Sequence, residues 1–167
     1  MKRVWTILFV VPALLSGCGA AEEEAGAEPA PAPASAPAAA GGELSAFELE
    51  HGIGPVKEPV QLGELDEDLA EAGEQVFNLK CMACHRLEDR YIGPPLGTVL
   101  DRRTPTYVMN MMLNPTGMTE RHPEAKALLA EYLAPMPNQD LTVEEARSVL
   151  EYLRQAATNE DADDVER

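Results

Sequence analysis

An all-α domain of about four short helices is the fold class this sequence predicts, and three observations predict it. Between positions 66 and 156 apolar residues recur at helical spacing, the runs open on capping residues or prolines, and no segment reads as a strand. A Cys-Met-Ala-Cys-His run at 81–85 follows the first helical pattern directly. The third observation is what the chain lacks. The domain is small, and its 167-residue chain holds only 3 cysteines, too few to staple a marginal core. A group bonded inside the fold has to supply the missing apolar volume.

The elements follow in order. The first helix carries Leu69, Ala72, Gly73, Val76 and Phe77 at i, i+3, i+4, i+7 and i+8, with Asp66 or Asp68 to cap its start. It delivers the chain to Cys81. A second, short helix begins at Thr104-Pro105, with threonine as cap and proline at the first helical position, and ends at Asn114-Pro115. The third opens at Pro123, closes before Pro135, and aligns Ala125, Leu128, Leu129, Tyr132 and Leu133. The last starts from the capping box Thr142-Val143-Glu144-Glu145 and turns Ala146, Val149, Leu150 and Leu153 to the core. Residues 157–167 read as an acidic, frayed tail.

The run at 81–85 is the attachment pattern of a c-type haem. Cys81 and Cys84 add across the two vinyl groups, and His85 is placed to coordinate iron from one face. The rival readings are a redox dithiol and half of a zinc site. A dithiol usually follows a strand, and nothing before Cys81 resembles one. Zinc needs further ligands at close spacing, and Cys18, His51 and His122 are all unpaired in the sequence. For the second axial position the candidates are Met82, Met109, Met111, Met112, Met118, Met136, His51 and His122. Met82 lies inside the attachment loop and cannot reach across the ring. Met109, Met111 and Met112 sit on a short amphipathic helix and read as core fillers. Met118 falls in a loop and competes. The two histidines read as solvent-facing. Met136 is favoured because Pro135 and Pro137 hold it in an extended strap that no helix can absorb.

Ahead of the domain, Lys2 and Arg3 precede an apolar run of about a dozen residues, shorter than the ~20 a membrane-spanning helix needs. Residues 1–17 therefore read as an export signal. Its Leu-Ser-Gly-Cys ending resembles the lipobox of bacterial lipoproteins, which makes Cys18 the lipid-modified first residue of the mature chain. Residues 18–42 are nearly all Ala, Pro, Glu and Gly, a composition that favours a disordered tether with a reach of roughly 30–70 Å. Residues 43–65 bring Phe47, Leu49, Ile53, Val56, Val60 and Leu62 without helical spacing, and read as an extended arm packed on the 66–156 domain.

The stretch 66–156 resembles the small class I bacterial cytochromes c. Gly73 and Phe77 match the glycine and aromatic of that family's first helix, and Val149 and Tyr152 the positions on the last helix that cross it. Cys81, Cys84 and His85 match the haem site, and Pro135-Met136-Pro137 the distal methionine loop. Gly93-Pro94 matches the family's Gly-Pro, which implies that the Pro94 carbonyl accepts the proximal histidine's Nδ1–H. Asn138 falls near a polar position that often bonds the methionine sulfur. More loosely, the domain looks like lipid-anchored cytochromes associated with nitrous oxide reduction or with terminal oxidases. The resemblance implies a small cytochrome c fold around one covalent haem c with His85/Met136 axial ligation.

A sixth methionine closes the iron to oxygen and raises its potential, which suits electron transfer rather than catalysis. The reading is an electron carrier, not an enzyme, with no small-molecule substrate. It works at the periplasmic face of a bacterial membrane, between a quinol-oxidising complex and a periplasmic reductase or terminal oxidase. A permanent haem subunit of an oxidase is one alternative; a haem peroxidase or gas sensor with a displaceable distal ligand is another. The net charge of −16 is spread over tether, domain and tail, excludes nucleic acid as a partner, and favours redox partners with a basic docking surface. Arg86, Arg90, Arg102 and Arg103 cluster near the attachment site, and Arg102 and Arg103 are the candidates to pair with the haem propionates.

Overall fold

The computed structural model describes residues 42–165, with side chains through residue 158. The export signal at 1–17, Cys18 and nearly all of the tether lie outside the described residues. Seven helices form within them: α1 (Ala46–His51), α2 (Glu67–Lys80), α3 (Val99–Arg102), α4 (Pro105–Leu113), α5 (Pro115–Arg121), α6 (Pro123–Tyr132) and α7 (Val143–Val165). None of them is long and apolar enough to cross a membrane.

The architecture rests on the crossing of α2 and α7. Asp66 caps α2 by accepting from the Leu69 N–H at 2.9 Å. Thr142 and Glu145 form the reciprocal capping box that starts α7. Where the helices meet, Gly73 lets the backbones touch: a Cβ there would lie 2.0 Å from the Ser148 carbonyl oxygen. One turn on, the Phe77 and Tyr152 rings stand 5.2 Å apart, and Val149 is buried beside them. The buried face of α2 is Ala70, Gly73 and Phe77, so Ala70 takes the place expected of Ala72, which is exposed. Around this crossing gather Val108, Met109 and Met112 of α4 and Ala146, Leu150 and Leu153 of α7.

Two short helices replace segments expected to be irregular. Residues 46–51 of the arm are helical rather than extended, started by a capping box between Ser45 and Glu48. Met118 stands on α5, not in a loop, because Pro115 that ends α4 also occupies the first turn of α5, with Asn114 as its cap. The brief α3 was likewise unforeseen. At the other end α7 runs on through Val165, so most of the expected acidic tail is helical.

The arm is held by buried polar side chains of α4 to α6. Asn110 is fully buried; its amide donates to the His51 and Val56 carbonyls, and its Oδ1 accepts from the Val56 N–H, each at 3.0 Å. Asn114 donates to the Ile53 carbonyl at 2.9 Å. His122 is buried, contrary to the solvent-facing expectation: its Nε2 meets the Leu49 carbonyl at 3.1 Å and its Nδ1 accepts from Glu124 N–H, capping α6. His51 is also mostly covered and meets Thr104 Oγ1 at 3.0 Å. Farther along, the buried Glu151 carboxylate lies between Arg147 and Arg154, and Arg154 donates to the Gly63 carbonyl at 2.8 Å. Arm and domain are thus tied by hydrogen bonds of buried and half-buried side chains. Breaking those of the fully buried Asn110 would leave unsatisfied groups, at about 1–3 kcal/mol each.

Candidate haem-binding site

The last turn of α2 does not stop at Lys80 but tightens into the attachment motif. Cys81 N–H and Met82 N–H both donate to the Phe77 carbonyl, and Cys84 N–H and His85 N–H both donate to that of Cys81, at 2.8–3.0 Å. This compact turn presents Cys81, Cys84 and His85 to one cleft. The loop that follows is tied back at its base by Gly93 N–H to Cys84 O at 2.8 Å and by Leu96 N–H to Arg86 O at 3.0 Å. Gly93 itself packs on the imidazole: a Cβ there would stand 2.5 Å from His85 Cε1.

The cleft holds about 1360 Å³ of space free of protein atoms, part of it open to solvent. Its walls come from both halves of the domain: Phe77 and Val149 at the helix crossing, Val108, Met111 and Met112 of α4, Leu128, Leu129 and Tyr132 of α6, and the strap Pro135-Met136-Pro137. His85, Pro94 and Met136 all line it, as do Arg102 and Arg103.

His85 Nδ1 lies 2.9 Å from the Pro94 carbonyl oxygen. A carbonyl only accepts, so Nδ1 carries the proton and Nε2 keeps its lone pair. Burial pushes the His85 pKa below its usual value, partly opposed by the Pro94 bond, which favours the neutral ring a metal requires. Burial pushes the Cys81 thiol up to about 11. A redox-active thiol is favoured by the reverse shift, so the environment of Cys81 does not favour that reading. Among the described residues no group of three or more His, Cys, Asp or Glu side chains converges as a metal site.

The other candidates for the distal position separate by place. Met118 is fully buried in a second small core with Ile53, Tyr107 and Ala125, and its sulfur accepts from the Ile53 N–H at 3.0 Å. That sulfur is committed to the arm. Met109 is packed in the main core, whereas Met111 and Met112 line the cleft from α4. Met136 lines it from the proline-flanked strap. Asn138 bonds within its own turn: its amide donates to Asp140 Oδ1 at 3.0 Å.

One lining residue went unread in the sequence. Tyr107 is buried on α4, and its hydroxyl finds no hydrogen-bond partner among the described residues. Native proteins rarely leave such an oxygen unpaired. Arg103 stands over the Tyr107 ring at 5.3 Å while bonding Glu124 Oε2 at 2.5 Å. Arg102 donates to the Pro95 carbonyl at 3.3 Å. An apolar cleft with a neutral imidazole, two thiols, an orphaned hydroxyl and two guanidinium groups fits a porphyrin bearing carboxylates.

A family model of cytochrome c matches residues 70–157, which is more than half of the chain. The chain belongs to the cytochrome c family. Family membership implies a covalently bound haem c and a role in electron transfer. Among solved structures, this cytochrome c domain is similar to cytochrome c from Rhodothermus marinus, at 55% identity and a TM-score of 0.64, covering 67% of this chain and 97% of that one. An engineered cytochrome c from the same organism is 54% identical over the same shares, with a TM-score of 0.64. A cytochrome c-553-like protein of Synechocystis sp. is 32% identical over 69 residues, 38% of this chain and 66% of that protein. The matched stretch thus spans just under two thirds of that relative.

Proposed function

We propose that this protein is a membrane-tethered carrier of single electrons, passing them from a quinol-oxidising complex to a periplasmic reductase or terminal oxidase. Nitrous oxide reductase is one such acceptor. In this reading Cys81 and Cys84 hold one haem c, and His85 and Met136 are its axial ligands. The observation that carries it is the pairing of His85 with the Pro94 carbonyl in a cleft that the Met136 strap also lines. When bound, the haem supplies a one-electron iron couple.

The chain's own residues account for the rest. Pro94 fixes the His85 tautomer, so Nε2 would be the atom that holds the iron. The strap prolines restrict the backbone around Met136 and limit the rearrangement that would slow electron transfer. The apolar walls make the cleft a poor place for water. Arg102, Arg103 and the Tyr107 hydroxyl are the groups suited to the propionates. The acidity of the domain draws a basic docking patch on the partner, while charge on tether and tail is screened within about 8 Å.

Tethering rests on the Leu-Ser-Gly-Cys run at 15–18. Cys18→Ser is expected to release haem protein into the soluble periplasmic fraction or leave an unprocessed precursor. Respiratory flux to the acceptor falls further than haem content. An unchanged membrane fraction and unchanged flux, with no acyl group on Cys18 by mass spectrometry, overturn the proposal.

A further inference from the structure

The strap that carries Met136 is poorly secured by its own backbone. Among the described residues, 134–141 make no backbone–backbone hydrogen bond. Pro135 and Pro137 have no N–H to give. Two cations on either side of the attachment motif reach the strap's two ends. Arg90, at the tip of the loop after His85, donates Nη1 to Glu131 Oε1 at 2.6 Å and Nη2 to the Glu131 carbonyl at 3.1 Å. Its guanidinium also covers the Tyr132 ring at 3.9 Å. These are the last residues of α6, immediately before the strap. There a cation satisfies a carbonyl the helix leaves free and opposes the helix dipole. Lys80, just before Cys81, donates to the Gln139 carbonyl at 3.3 Å, beyond the strap's other end, and is itself steadied by Glu145 at 3.4 Å.

We propose that Arg90 and Lys80 are positioning residues: staples that tie the haem-attachment turn to both ends of the Met136 strap and keep exogenous ligands from displacing the thioether. The proposal rests on Met136 being the distal ligand. Arg90 is the stronger staple, since one planar side chain makes two hydrogen bonds and a ring contact at once. Arg90 and Glu131 are both about half exposed, so the hold is modest and reversible. The strap therefore has a closed state and an infrequent open one, and a competing ligand binds only the open fraction.

The test is an imidazole titration of the ferric holoprotein, followed by loss of the weak methionine–iron absorption band. Arg90→Gln is expected to tighten apparent imidazole binding about three- to tenfold. Lys80→Gln acts in the same direction and less, and Arg90→Lys restores only part of the loss. In a Met136→Ala background, Arg90→Gln is expected to change nothing, because no strap ligand remains to be displaced. Unchanged affinity in Arg90→Gln, while Met136→Ala alone binds imidazole far more tightly, overturns the staples and leaves the ligand assignment standing. Equal tightening by Arg90→Gln with and without Met136 also overturns them. If Met136→Ala keeps both the band and the wild-type affinity, the ligand assignment itself fails.

Discussion

Met136→Ala is expected to abolish the methionine–iron charge-transfer band and lower the reduction potential by on the order of a tenth of a volt or more, within the ~0.8 V range that axial ligands command. A thioether stabilises the reduced iron relative to water or a more donating ligand, so its loss favours the oxidised form. Met111→Ala is the informative control, because Met111 also lines the cleft but stands on α4 against the second core. It is expected to leave the band in place and to cost only packing. Met118→Ala should likewise spare the band and instead loosen the arm, since its sulfur accepts from the Ile53 N–H. Visible and near-infrared spectra with a potentiometric titration of each variant check all three. A band that survives Met136→Ala and disappears in Met111→Ala moves the ligand to α4.

Gly73→Ala is expected to destabilise the holoprotein by about 1–2 kcal/mol, despite alanine's better helix propensity. Alanine in a helix interior gains about 1 kcal/mol over glycine, and overpacking typically costs 1–3 kcal/mol. Here the added Cβ would stand 2.0 Å from a carbonyl oxygen and 2.4 Å from its carbon, both backbone atoms of α7. No side-chain rotation relieves that contact, so α2 and α7 have to move apart and uncover Phe77 and Val149. Clash therefore outweighs propensity. Gly63→Ala is the control: nothing lies within 4 Å of its Cβ, and the change should stay within about 0.5 kcal/mol. Denaturant unfolding of the two variants against wild type measures the difference.

The starts of the four main helices were legible because capping residues and prolines mark them locally. Thr104-Pro105, Pro123 and the Thr142–Glu145 box each act within a single turn. Short helices were not. The Ser45–Glu48 box was present in the sequence, but a six-residue helix has too few turns to show a face, and α1 depends on packing against α4. Asn114-Pro115 was readable as a stop; that the same proline opens α5 was not, because proline serves equally at the end of one helix and the start of the next. The residues expected to hold the haem are adjacent in sequence or fixed by prolines, and the structure gathers them at one cleft. Asn110, His122 and Arg90 were beyond reach for a different reason. Their roles come from partners 41 to 73 residues away, and nothing in a polar side chain's neighbours announces such a partner. His122 reads as a surface histidine until the Leu49 carbonyl is brought to it.

The central claim is that the iron is closed on both faces, so that the protein carries electrons and does not act on a ligand. Carbon monoxide added to the reduced wild-type holoprotein at neutral pH tests this most directly. The predicted result is an unchanged Soret band, with binding appearing only once Met136 is replaced by alanine. Prompt, stoichiometric carbon monoxide binding by the wild-type protein would contradict it and favour a peroxidase or gas sensor.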